Sequence, residues 1–325
     1  MRAIALSRHS DATVFHSTTL PKPTASGHDL LVRVHATSVK PVDTKNALAY
    51  FDRAPKPPDH VLGFDGAGVV DHVGEQAAER GWRVGDEVFY SSSPVRQGAN
   101  AQWQLVDGRS VARKPSGLSW AERRRVRSSV APDALVCRHT LPQEQTAHNL
   151  FRALLGVGSV ATQIARRILR LPVVVTTASR PETTEFSRSM GATHVVNHRE
   201  PLPPQVEALA LPIPIKYVFI TYRTEQYMDA TAAICAPFGK VCSICLTFVW
   251  ELLGPKPWYG VDVESHGEIL RRLASWVDEG KIESHLRETM PLTVEGVVRA
   301  RQAVEASRVI GKVGLEIWQD GRAFM

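Results

Sequence analysis

Between Ser159 and Ile244 the chain switches repeatedly between two periodicities, and few folds accommodate that alternation over such a length. Val160, Ala161, Ile164, Ala165 and Ile168 fall on one helical face. Pro172 stops that helix, and the run Val173 to Ala178 is continuously apolar or β-branched, as in strands buried on both faces of a parallel sheet. Glu182 to Met190 reads as a second helix ended by Gly191, with a strand at His194 to Asn197. Lys216 to Thr221 and Gly239 to Ile244 are further strand candidates. Strand and helix in alternation predict an α/β, doubly wound parallel sheet.

The first hundred residues read differently. Leu30, Val32, Val34 and Ala36 alternate with Arg33, His35 and Thr37, the period-2 mark of a half-buried strand. In Gly63-Phe-Asp-Gly-Ala-Gly-Val-Val glycines interrupt a strand pattern, which implies bulges or close backbone approach. Short strands at Gly85 to Tyr90 and Ala101 to Val106 follow, and this spacing suggests a small β-barrel. Near the end, Ile269, Leu270, Leu273, Trp276 and Val277 mark one amphipathic helix and Val297 to Val304 another, before a strand at Gly311 to Ile317. A first domain interrupted by the α/β domain is expected.

Composition narrows the function classes. Apolar residues make up 43% and charged residues 22%, enough to bury a core and too few for a disordered chain. Net charge is +6, but Arg123, Arg124, Arg125 and Arg127 supply four of the cations, so the pI of 9.2 is a poor argument for nucleic acid. A solvated basic surface is the expected reading of that cluster. Four cysteines make no disulfide framework. Cys242-Ser-Ile-Cys245 stands alone inside an apolar run, Val241 to Trp250, that reads as a buried strand with free thiols. No run approaches the roughly 18 apolar residues that span a bilayer, and the start is too polar for a signal peptide, so a cytoplasmic protein is expected.

The chemistry-bearing segment is Gly156-Val157-Gly158-Ser159, directly ahead of the first helix. Glycines there let a backbone approach a pyrophosphate at the positive helix end. Ser179 and Arg180 lie beyond the next strand, Ser179 being 21 residues after Gly158, where the ribose-reading residue is expected about 20 on. No carboxylate stands there to bind free ribose hydroxyls and repel phosphate. Ser179 and Arg180 can instead bond a 2′-phosphate, which favours NADP(H); the alternative is that Arg180 merely caps a surface turn before Pro181.

Several segments, in order along most of the chain, carry a resemblance. They are Met1-Arg-Ala-Ile, Ser38-Val-Lys-Pro-Val-Asp-Thr-Lys, Leu62-Gly-Phe-Asp-Gly-Ala-Gly-Val-Val and Gly85-Asp-Glu-Val-Phe-Tyr. Beyond them come Gly156-Val-Gly-Ser-Val-Ala-Thr-Gln-Ile-Ala, Thr177-Ala-Ser-Arg-Pro-Glu-Thr, Met190-Gly-Ala-Thr-His-Val-Val-Asn-His and Gly311-Lys-Val-Gly-Leu. The chain resembles the medium-chain dehydrogenases/reductases, in the zinc-free quinone-oxidoreductase branch described as zinc-type alcohol dehydrogenase-like. The resemblance implies a GroES-like β-barrel domain over 1–118, completed by 285–325, and a Rossmann NADP-binding domain over 119–284. It also implies NADPH, a quinone or α,β-unsaturated carbonyl as substrate in a cleft between the domains, and a homodimer. An RNA-binding role, found among quinone-reductase relatives, stays open as a third reading of the arginine cluster.

Zinc-dependent relatives carry a cysteine in the loop that here reads Pro41-Val-Asp43-Thr44, and Gly-His-Glu where this chain has Gly63-Phe64-Asp65. They also carry four closely spaced cysteines absent between Tyr90 and Val111, so no metal is expected. Without one, hydrogen bonds must polarise the carbonyl and water can supply the final proton. By position Asp43 and Lys40 are the polar candidates and Phe64 a pocket residue. The plainer alternatives are solvated loop charges and a core aromatic.

Two segments depart from the family. Residues 121–155 are arginine-rich where relatives have an alanine-rich helix, and Arg152 and Leu155 replace small residues of the glycine motif. The second reading follows: a catalytically silent member with a damaged nucleotide loop, or a gene-model artefact from a shifted frame or missed splice.

Overall fold

The structure is a computed structural model that describes residues 1–6, 15–40, 43, 59–92, 96–115, 148–151, 157–221, 224–243, 263–283, 286–306, 310–319 and 322–323. It divides into two compact units, Met1–Pro132 with Val261–Asp278 and Glu283–Met325, and Asp133–Gly260 with Glu279–Ile282. The amphipathic helix around Leu270 groups with the first unit, whereas the sequence reading placed 119–284 in the second domain.

In the first unit β1 (Arg2–Leu6) pairs with β2 (Phe15–Thr19) and β4 (His60–Val61) in a three-stranded sheet. The larger sheet is organised around β3 (Asp29–Val39), whose eleven residues are long enough to pair with three partners. Ala36 to Val39 pair with β15 (Lys312–Glu316), Asp29 to Arg33 with β7 (Trp103–Asp107), and Leu30 to Thr37 with β5 (Asp65–Val73). β6 (Glu87–Ser91), β8 (Val111–Arg113) and β14 (Leu286–Pro291) complete the seven strands, and α1 (Glu75–Glu79) follows β5.

The β3–β5 register is irregular between Val34 and Ala36, as glycines in β5 suggested. Gly66 and Gly68 are required by close approach: an added Cβ would lie 2.4 Å from the Tyr90 ring and 2.0 Å from the Arg33 carbonyl oxygen. Period-2 alternation holds only in the middle of β3, where Arg33 is exposed and His35 half-buried. At its far end Thr37, Ser38 and Val39 are all buried, because both faces are covered there. α6 (Val263–Asp278) packs on β8 through the buried Ile269, Leu270, Leu273 and Val277, at the spacing read from the sequence. α7 (Val294–Glu305) is capped by the Thr293 hydroxyl, which accepts the Gly296 N–H at 3.0 Å. Its Val297 and Ala300 join Met290, Leu292, Val313 and Leu315 in one core cluster.

The second unit is a five-stranded, all-parallel sheet. Its order is β11 (His194–Val196), β10 (Val174–Thr177), β9 (His148–Phe151), β12 (Ile215–Ile220) and β13 (Lys240–Ser243). This is the doubly wound order, with the chain reversing direction across the sheet between β9 and β12. The connecting helices are α2 (Val157–Gln163), α3 (Pro181–Ser189), α4 (Leu202–Ala208) and α5 (Thr224–Ile234). α2 runs into a π-turn, Ile164–Ile168, which admits an extra residue per turn and leaves Ile168 only half-buried, although the helical reading put it on the apolar face. β13 is the edge among the described strands, and Val241 is correspondingly exposed rather than buried; Cys245 and the rest of the run to Trp250 lie outside the described residues.

Candidate functional site

Two polar clusters stand out, one in each unit. In the first, antiparallel pairing of Thr37 with Gly66 sets the end of β3 beside the start of β5, so Asp65 meets three side chains from one short stretch. The Thr37 hydroxyl donates to the Asp65 carbonyl at 2.7 Å, and Ser38 Oγ donates to Asp65 Oδ2 at 3.1 Å. Lys40 Nζ donates to Asp65 Oδ1 in a buried ion pair. Asp65 has no exposure at all, so its charge requires such partners.

Asp43 lies against the same pair. Its Oδ2 accepts the Lys40 backbone N–H at 2.7 Å, while its N–H donates to the Lys40 carbonyl at 3.0 Å. Its Oδ1 is buried and has no hydrogen-bond partner among the described residues. Burial pushes the Asp43 carboxyl up to about 7, against the pull of Lys40 and Arg301 and reinforced by Asp65. Burial and the Asp65 charge also raise the Tyr90 phenol, whose oxygen has no partner among the described residues. Phe64 is a buried core aromatic whose carbonyl oxygen accepts from the Ser92 amide at 2.6 Å.

In the second unit, parallel pairing of Thr176 with Phe151 brings the carboxyl ends of β9 and β10 to one edge of the sheet. α2 begins beyond β9, with Gly158 and Ser159 buried in its first turn. Ser179 and Arg180 emerge beyond β10. The Arg180 backbone forms the N-cap of α3, its N–H donating to Thr183 Oγ1 at 3.2 Å, and its half-buried guanidinium has no partner among the described residues. Backbone capping and a cationic side chain are therefore combined in one residue. Thr177 Oγ1, at the same strand end, is buried without a partner among the described residues. The edge beyond the carboxyl ends of these strands is where doubly wound sheets bind nucleotides.

Residues 26–131 match the alcohol dehydrogenase GroES-like domain and residues 156–253 the zinc-binding dehydrogenase family. A zinc-type alcohol dehydrogenase-like protein of Staphylococcus aureus (strain MSSA476) is 32% identical over 91% of this chain and 93% of its own. This chain is a medium-chain dehydrogenase/reductase. A solved structure assigned as a zinc-dependent alcohol dehydrogenase protein from Rhizobium etli CFN 42 is 34% identical, with a TM-score of 0.83 and 98% of each chain covered. The 2-methylene-furan-3-one reductase of Solanum lycopersicum is 26% identical over 90% of this chain and 72% of its own. The dehydrogenase/reductase is thus an oxidoreductase with a GroES-like unit and a Rossmann unit.

Zinc does not fit the site this family would use. Lys40 holds the Asp65 oxygen that a metal would need, Phe64 offers no donor atom, and Asp43 gives one oxygen to a backbone amide. No three His, Cys, Asp or Glu among the described residues converge on a common point. A pyridine nucleotide does fit: the buried turn at Gly158 and Ser159, the Thr177 hydroxyl, which has no partner among the described residues, and the Arg180 guanidinium supply backbone, hydroxyl and cationic donors on one sheet edge.

Of the residues expected from the sequence, the structure brings Lys40 and Asp43 together and sets Val157, Gly158 and Ser159 at the start of α2, with Ser179 and Arg180 beyond β10. Lys40 is an ion-paired core residue and not a solvated loop charge. Gly156, Leu155, Arg152 and residues 121–147, with the arginine cluster, lie outside the described residues. Asp65, Ser38 and Thr37 were missed as site residues. A carboxylate inside the apolar, glycine-rich strand Gly63 to Val70 was the available signal, since a buried charge must have a partner. No helix among the described residues is long and apolar enough to cross a membrane.

Proposed function

We propose that this protein reduces α,β-unsaturated carbonyls or quinones by hydride transfer from NADPH, without zinc. The observation that carries the coenzyme choice is the end of β10. It presents Ser179 and an Arg180 guanidinium without a partner among the described residues, with no carboxylate at the ribose-reading position. A guanidinium fork there bonds a 2′-phosphate with charge assistance and gains little from a bare hydroxyl. Relatives support the substrate class, among them the tomato reductase and an NADPH-dependent alkenal/one oxidoreductase of Arabidopsis thaliana, 26% identical.

When bound, the dihydronicotinamide supplies the hydride. The protein's own residues hold and select it: the first turn of α2 offers backbone N–H groups to pyrophosphate, and Ser179 and Arg180 read the 2′-phosphate. In the first unit Lys40 neutralises Asp65 in a buried ion pair, so the charge there is balanced by the chain itself without a metal.

The test is a fluorescence titration with NADPH and NADH, followed by a screen of enones and quinones. Wild type is expected to bind NADPH more tightly. Arg180→Ala should weaken NADPH by about 10- to 100-fold, the loss of a charge-assisted contact, and leave NADH nearly unchanged. A flat titration with both coenzymes would mean that the protein is a silent family member.

A further inference from the structure

A second arginine stands at the sheet edge that holds Arg180. Thr177 of β10 pairs in parallel register with Val196 of β11, and the Ala178 N–H donates to the Val196 carbonyl at 2.9 Å. Arg180 and Arg199 therefore each lie three residues beyond one pair of facing positions, on strands about 4.8 Å apart. Parallel strands deliver the chain to the same end of the sheet, so both residues leave from a single rim.

The turn that carries Arg199 is held on several sides. The Asn197 N–H donates to Gln205 Oε1 at 2.8 Å, and Gln205 Nε2 donates back to the Asn197 carbonyl and to the Pro201 carbonyl, each at 2.9 Å. Asn197 Oδ1 accepts the Arg199 N–H at 3.1 Å, which closes an Asx turn. The neighbouring acid is drawn aside, because Asn197 Nδ2 donates to Glu200 Oε1 at 2.8 Å. Glu182 sits in the first turn of α3, where a carboxylate complements the positive helix end. Arg199 thus spends its amide on the turn and is exposed, its guanidinium having no partner among the described residues. Arg180 spends its own amide on Thr183 in the same way. Two cations on one rim disfavour each other, and an anion held by both relieves that cost.

We propose that Arg199 is the second arm of a two-arginine clamp on the 2′-phosphate of NADPH, a role that rests on the coenzyme reading above. Arg180 grips the phosphate from the β10 side and Arg199 from the β11 side. A phosphate monoester carries a charge of about −1.5 to −2 and three acceptor oxygens, more than one guanidinium fork can satisfy. NADH offers only a hydroxyl at that position, so Arg199 adds to the affinity for one coenzyme and not for the other.

The experiment is a calorimetric titration of full-length wild type, Arg199→Ala, Arg199→Lys and Arg180→Ala. The probes are NADPH, NADH and the pair 2′,5′-ADP and 5′-AMP, which differ by the 2′-phosphate alone. Arg199→Ala should weaken NADPH and 2′,5′-ADP by about 3- to 10-fold, less than Arg180→Ala because Arg199 is the more exposed. NADH and 5′-AMP should bind as before. Arg199→Lys should recover part of the loss, since it keeps the charge without the fork. The gap between wild type and Arg199→Ala should narrow as salt is raised. The clamp is overturned if Arg199→Ala binds NADPH like wild type, or if it loses NADH and 5′-AMP in equal measure, the mark of a merely structural change. If Arg180→Ala still loses NADPH in that case, the coenzyme reading stands without the clamp. A wild type that binds 2′,5′-ADP no better than 5′-AMP overturns both.

Discussion

Lys40 and Arg180 are both cations placed just past the end of a strand, one after β3 and the other beyond β10, yet their surroundings are opposite. Lys40 is buried with its ammonium on Asp65, whose other oxygen accepts from Ser38, and its backbone N–H donates to Asp43. Arg180 spends only its backbone on the fold and leaves the guanidinium without a partner among the described residues. The Lys40–Asp65 pair is matched internally, so altering it should strike the folded state. Arg180 holds its charge in reserve, so altering it should strike a ligand.

The largest expected effect breaks the matched cluster. Lys40→Met would leave Asp65 buried with its cation gone, costing about 3–5 kcal/mol in urea unfolding. Adding Asp65→Leu should recover much of that loss, and a double mutant no more stable than Lys40→Met would show that the pair is not what couples the two sites.

A smaller effect concerns pH. The folded-state pKa of Asp43 is raised from 3.8 to about 7, so between those values the folded protein keeps a proton that the unfolded chain releases. Its contribution to stability is complete below about pH 4 and is lost as pH rises through 7, at about 1.4 kcal/mol per pH unit across that window. Asp43→Asn should flatten that slope in melts taken at several pH values. An unchanged slope would place the proton elsewhere.

The smallest effect sharpens the contrast. Arg180→Ala keeps the backbone cap, so its unfolding free energy should stay within about 0.5 kcal/mol of wild type while NADPH binding falls. A destabilisation comparable to that of Lys40→Met would erase the distinction between the two regions.

The sequence made the repeating units legible because each rests on a local period. The faces of α6 and α7, the β-branched β10 and the turn at Gly191 all follow from residues within a few positions of one another. Arg180 was legible for a similar reason, since its distance from Gly158 is set by one helix and one strand. The Lys40 cluster was not. Its partner lies 25 residues away, and only the β3–β5 register makes them neighbours. Thr37 reads as the polar half of an alternating strand, and only the fold sets it and its neighbour Ser38 against Asp65. The π-turn after α2 has no sequence period of its own, so the face was extrapolated one residue too far, to Ile168.

The ammonium beside Asp65 is tethered covalently to the chain, and that has a physiological corollary. No chelator can strip it and no shortage of trace elements can empty its place. The barrel unit should therefore reach its finished charge arrangement as soon as it folds, and incubation with EDTA should leave both its melting temperature and its turnover where they were.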